Sequence, residues 1–128
     1  MMHNGGTDKS AWGDFPQVIA DEGFLTVNLT WKNWDTCNIE SSISYTLEKY
    51  ADIIDKDKVV FVGGCHGGKE ALEVLNKGSE QYKVKTAVLL SVSELDESVE
   101  ASQKKGHVPM LVYYSLNDAV GEPYGSYI

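Results

Sequence analysis

Apolar residues along this chain follow two rhythms in turn, one helical and one strand-like. Positions 10–20 place Trp12, Phe15, Val18 and Ile19 at helical spacing, with Asp8 or Ser10 as cap. Pro16 lies inside that pattern, where it is tolerated only near the first turn, and Gly23 closes it. Phe24-Leu25-Thr26-Val27-Asn28-Leu29-Thr30 is rich in β-formers and predicts a strand. Positions 31–38 read as a loop. Positions 39–54 predict a second helix through Ile43, Tyr45, Leu47, Tyr50, Ala51 and Ile54, followed by the charged turn Asp55-Lys56-Asp57-Lys58. Val59-Val60-Phe61-Val62 is a continuous apolar run, as expected of a strand buried on both faces. A glycine cluster leads into a third helix over 66–76, with Ala71, Leu72 and Val74 inward, and Lys77-Gly78-Ser79 stops it. Strands follow at 84–92 and 108–114, separated by a polar stretch with weak helical character, and 115–121 reads as a turn.

Strand and helix in alternation predict an α/β fold: one domain over 1–128, with a predominantly parallel sheet flanked by helices on both faces. In such sheets the chemistry collects at the carboxyl ends of strands. The positions that matter are therefore those after Val62, Val92 and Tyr114, together with the glycines beside His3.

Composition narrows the partners. The chain has 128 residues, 42% hydrophobic and 23% charged, which fits one globular domain. Its net charge of −8 repels phosphate backbones, so no nucleic-acid partner is expected. The apolar runs at 59–62 and 87–90 are strand-sized, so no membrane span is expected, and the first residues lack the pattern of a signal peptide. The two cysteines, Cys37 and Cys65, are too few for a disulfide framework. A bridge between them is open on number alone, but two thiols in a reducing cytoplasm is the better reading. No cluster of His, Cys and carboxylate has metal-ligand spacing, so neither a metal nor a cofactor is expected.

The sharpest chemical signal is the run Val62-Gly63-Gly64-Cys65-His66-Gly67-Gly68-Lys69. Here a strand passes straight into a helix through a turn too tight for side chains on its flanks. The central residue is held exposed at a helix amino terminus, where the dipole and N–H groups favour negative charge. A thiol placed there is favoured as a nucleophile.

Gly63-x-Cys65-x-Gly67 resembles the nucleophile elbow of α/β-hydrolases, with Cys in place of the usual Ser, as in dienelactone hydrolases. His3-Asn4-Gly5-Gly6, followed by Thr7-Asp8-Lys9-Ser10-Ala11-Trp12, resembles the His-Gly oxyanion loop of that family, though Asn4 stands where a glycine is usual. The segment Val108 to Asp118 resembles the strand and loop that carry the triad acid. The resemblance implies that Cys65 attacks the carbonyl of an ester, lactone or thioester. It implies that the N–H of His66, with one from the loop containing Asn4 and Gly5, holds the oxyanion, and that Asp118 is the acid.

The family also needs a histidine after the acid, and none follows Asp118: His3, His66 and His107 all precede it. A buried strand should precede the His-Gly loop, between the strands at 24–30 and 59–62. The expectation is a piece of a longer hydrolase, cut at both ends, with the histidine beyond Ile128 and with exposed sheet edges that favour self-association. A degenerate, inactive relative used for binding is the alternative. Simpler readings stand beside these: Cys65 as a small core residue, Asp118 as a turn former, Trp31 and Trp34 as packing aromatics, Glu94 and Asp96 as solvated charges. A further rival is a phosphate-binding loop. Positions 63–69 satisfy Gly-x-x-x-x-Gly-Lys, but Glu70 stands where a magnesium-binding Ser or Thr is required.

Overall fold

A computed structural model describes residues 1–3, 7–30, 36–92 and 108–113 of the chain. Among them, a short 3-10 helix at Lys9–Trp12 is followed by α1 (Phe15–Asp21), α2 (Thr36–Lys49), β1 (Val59–Gly64), α3 (His66–Lys77), β2 (Val84–Leu90) and β3 (Met110–Tyr113). The strands form a parallel sheet in the order β1-β2-β3. The sequence reading of an α/β chain with a parallel sheet therefore holds.

Alternation along β1 shows how the sheet is covered. Phe61 and Gly63 face α3, and a Cβ on Gly63 would lie 2.6 Å from the Cα of Gly68. Val60, Val62 and Gly64 then face the other way, and there Gly64 meets the ring of Trp12. The α3 face holds the packed core. Phe61, Ala71, Leu72, Val74, Ala87 and Leu89 are buried together with Met2 and Val92, and Ile39 of α2 joins them. Fully burying side chains such as Leu72 and Leu89 is worth about 1.5–3 kcal/mol each. The opposite face is thinner. Val60 is 37% exposed, so the expectation of a β1 buried on both faces is corrected there.

The segment 24–30 also departs from expectation. It is extended but forms no ladder, only an isolated parallel bridge at Leu29. Its neighbour in the sheet direction is Met2, which bridges Leu29 on one side and Gly63 on the other. The Met2 N–H donates to the Val62 carbonyl at 2.8 Å, and the Gly64 N–H donates to the Met2 carbonyl at 3.1 Å. On the far side the Leu29 N–H donates to the Met1 carbonyl at 3.1 Å, and the Met1 ammonium to the Val27 carbonyl at 2.6 Å. Met1 and Met2 thus lie between residues 27–29 and β1. Two residues pair too few positions of 24–30 for a ladder, which is why its β-rich sequence does not become a strand.

The helices are also redrawn. The single helix expected over 10–20 divides at Gly13 and Asp14. Asp8 caps the first part by accepting the Ser10 N–H at 2.7 Å, and Pro16 falls in the first turn of α1, where its missing N–H costs nothing. The second helix starts at Thr36 and ends at Lys49 instead of running over 39–54, and residues 50–54 continue as turns. Tyr50 and Ala51 are exposed and Ile54 only partly buried, so the apolar positions beyond Lys49 bury little surface. α3 ends on Gly78 at φ 71°, as its glycine stop requires.

Candidate active site

β1 ends at Gly64 and α3 begins at His66, so Cys65 alone makes the turn. Its backbone has φ 50° and ψ −118°, a conformation few L-residues adopt and one that costs about 1–3 kcal/mol. Its N–H donates to the Leu90 carbonyl at 2.8 Å, which ties the turn to the end of β2. Its carbonyl accepts the Gly68 N–H at 3.0 Å, closing the first turn of α3. Cys65 is partly exposed and is not in a disulfide. A second strained residue, Ser91 at φ 47°, follows the end of β2, and its N–H donates to the Tyr113 carbonyl at 2.6 Å.

The flanking glycines are required by contact. A Cβ on Gly63 would press into the carbonyl of Gly67, with the carbonyl carbon at 2.7 Å. A Cβ on Gly67 would press into the carbonyls of Met2 and His3, with the Met2 carbonyl carbon at 2.6 Å. A Cβ on Gly68 would lie 2.5 Å from Cγ2 of Val92. Strand, helix and amino-terminal segment therefore meet backbone to backbone around the turn, and only residues without a side chain allow it.

The sequence-predicted site residues fall as follows. Cys65 and His66 stand side by side at the amino end of α3. His3 is buried, with its backbone against Gly67 and its Nδ1 3.3 Å from Oγ1 of Thr7. This brings His3 against the turn between β1 and α3. Asn4, Gly5 and Asp118 lie outside the described residues, as do His107, Trp31, Trp34, Glu94 and Asp96. Cys37 falls in the first turn of α2.

Two neighbours were not read from the sequence as part of the site. Trp12 lies over Gly64, with Cη2 3.5 Å and Cζ2 3.8 Å from where a Gly64 Cβ would sit. Glu70, on the first turn and a half of α3, is buried at 3% exposure. Trp12 carried a weak signal in the helical period of 10–20. Glu70 carried none, because a carboxylate after a glycine turn reads as solvated.

No protein-family model, curated protein or solved structure is similar to this chain. Among the described residues, no helix is long and apolar enough to cross a membrane.

Proposed function

We propose that this chain is an acyl-transfer hydrolase of carboxylic esters, lactones or thioesters, with Cys65 as nucleophile, on an α/β-hydrolase core of the dienelactone-hydrolase kind. The observation that carries the reading is the one-residue turn itself. A non-glycine residue at φ 50° is held between β1 and α3 by glycines that have no room for a Cβ. A strained residue retained at a strand–helix junction is a mark of a functional position. The sulfur attacks the acyl carbon, the C–S bond forms, and the C–O or C–S bond to the leaving group breaks as that group takes up a proton. Water then releases the acid and restores the thiol. Asp118 is proposed as the acid of the triad. The N–H of His66, with one from Asn4 or Gly5, is proposed to hold the oxyanion.

The phosphate-loop reading gains no support from the geometry. Such a loop needs several non-helical residues whose amides converge on an anion. Here Gly63 and Gly64 belong to β1, His66 to Lys69 belong to α3, and Cys65 alone separates them.

Intact-mass analysis after incubation with a thioester tests the proposal. The expected result is one acyl group per chain, mapped to Cys65. Absence of an adduct at Cys65 overturns the proposal and leaves the non-catalytic binding protein in its place.

A further inference from the structure

Ser91 repeats the strain of Cys65 one strand away. Among the described residues these are the only two other than glycine with positive φ, 47° at Ser91 and 50° at Cys65. An L-residue there is crowded by its own Cβ, so the conformation persists only where the surroundings impose it. The register brings the two together. Gly64 pairs with Leu90, so Cys65 and Ser91 each follow that pair by one residue, on strands about 4.8 Å apart.

One peptide plane links them. The Leu90 carbonyl and the Ser91 N–H belong to the same peptide. The carbonyl accepts the Cys65 N–H at 2.8 Å, and the N–H donates to the Tyr113 carbonyl at 2.6 Å. The peptide that holds Cys65 is thus itself held by β3. Beyond it the chain turns back. Phe61 pairs with Ala87 and Gly63 with Leu89, so these residues of β2 share the α3 face and Leu90 lies on the other. An extended Ser91 would put Val92 on the face of Leu90. Instead Val92 is buried against α3, with Cγ2 2.5 Å from where a Gly68 Cβ would sit. Residues 90–92 therefore grip the elbow twice: the Leu90 carbonyl on Cys65, and the Val92 side chain on the first turn of α3. The positive φ of Ser91 is the joint that allows both.

We infer that Ser91 is a positioning residue of the Cys65 site: its left-handed backbone sets the Leu90–Ser91 peptide and Val92 against the turn and so keeps Cys65 in its strained conformation. This rests on Cys65 being the nucleophile. The backbone carries the effect, and the hydroxyl is dispensable.

The test uses the full chain carrying Cys37→Ser. Iodoacetamide forms an S–C bond to Cys65 with release of iodide, the thiol proton passing to solvent, and intact mass follows the rate. Nitrogen-15 and carbon-13 labelling reads the holding bond, as the coupling across it between the Cys65 nitrogen and the Leu90 carbonyl carbon. Ser91→Gly and Ser91→Ala should keep the coupling and, within about twofold, the rate, because glycine adopts positive φ freely and alanine is no larger at Cβ than serine. Ser91→Val should lose the coupling and react about tenfold more slowly, because a β-branched residue is strongly disfavoured at positive φ and a displaced nucleophile reacts slowly. A folded Ser91→Val that reacts at the parent rate overturns the inference and leaves the nucleophile standing. So does a comparable loss in Ser91→Ala, which assigns the effect to the hydroxyl, or a parent chain without the coupling. Those two outcomes decide the matter if Ser91→Val does not fold. A Cys65 that resists alkylation in the folded parent removes the nucleophile, and this inference with it.

Discussion

Replacing Gly67 with alanine sets two physical effects against each other. Gly67 lies in the first turn of α3, and in a helix alanine is favoured over glycine by about 1 kcal/mol. Helix propensity alone therefore predicts a more stable protein. The surroundings predict the reverse. The new Cβ would meet the carbonyls of Met2 and His3, which are backbone and cannot swing aside like the end of a side chain. Moving them strains the bonds from the Met2 N–H to Val62 and from the Gly64 N–H to Met2, each worth about 1 kcal/mol net. Overpacking itself costs about 1–3 kcal/mol. With the propensity gain subtracted, the expected loss is about 3 kcal/mol. For a two-state chain of this length that lowers the melting temperature by about 11 °C. Urea unfolding followed by circular dichroism measures it directly, through the midpoint at unchanged slope. A Gly67→Ala protein as stable as the parent, or more so, would refute the backbone-to-backbone account of the elbow.

Three further outcomes follow from the same geometry. Gly64→Ala should cost less than about 1 kcal/mol, because its Cβ would meet only the Trp12 ring at 3.5 Å, an ordinary contact; a loss as large as that of Gly67→Ala in the same urea assay would mean Trp12 is placed differently. Cys65→Gly should raise stability by about 1 kcal/mol, since relief of about 1–3 kcal/mol of strain at φ 50° outweighs the extra chain entropy of glycine; an equal or lower urea midpoint would count against a strained turn. Burial of the Met1 ammonium lowers its pKa from 8.0 to about 6. Between those values the unfolded chain binds more protons, so stability should rise by about 1.9 kcal/mol as pH goes from 6 to 8 and be lost as it falls; unfolding midpoints that stay flat over that window would contradict the burial.

The elements that form from their own residues were legible in the sequence. β1, α3 and β2 fall close to where the apolar pattern puts them, and Ala71, Leu72 and Val74 are inward as the helical period requires. The spacing Gly63-x-Cys65-x-Gly67 identified the turn, because the need for small flanking residues is local and leaves its mark in the sequence. Pairing across the sheet is not local, and that is where the pattern failed. Residues 24–30 have the composition of a strand, but a strand needs a partner along its length, and Met1 and Met2 supply two residues of one. The apolar positions of 50–54 continue a helical period that buries little surface. The exposure of Val60 and the burial of Glu70 depend on which segments cross each face of the sheet. So does the meeting of Trp12 with Gly64, 52 positions apart in the chain. Sequence fixes periods and turns because these follow from adjacent dihedral angles and side-chain volumes. Which segments become neighbours is decided only when the whole chain packs, and the surroundings of Cys65 are made of such neighbours.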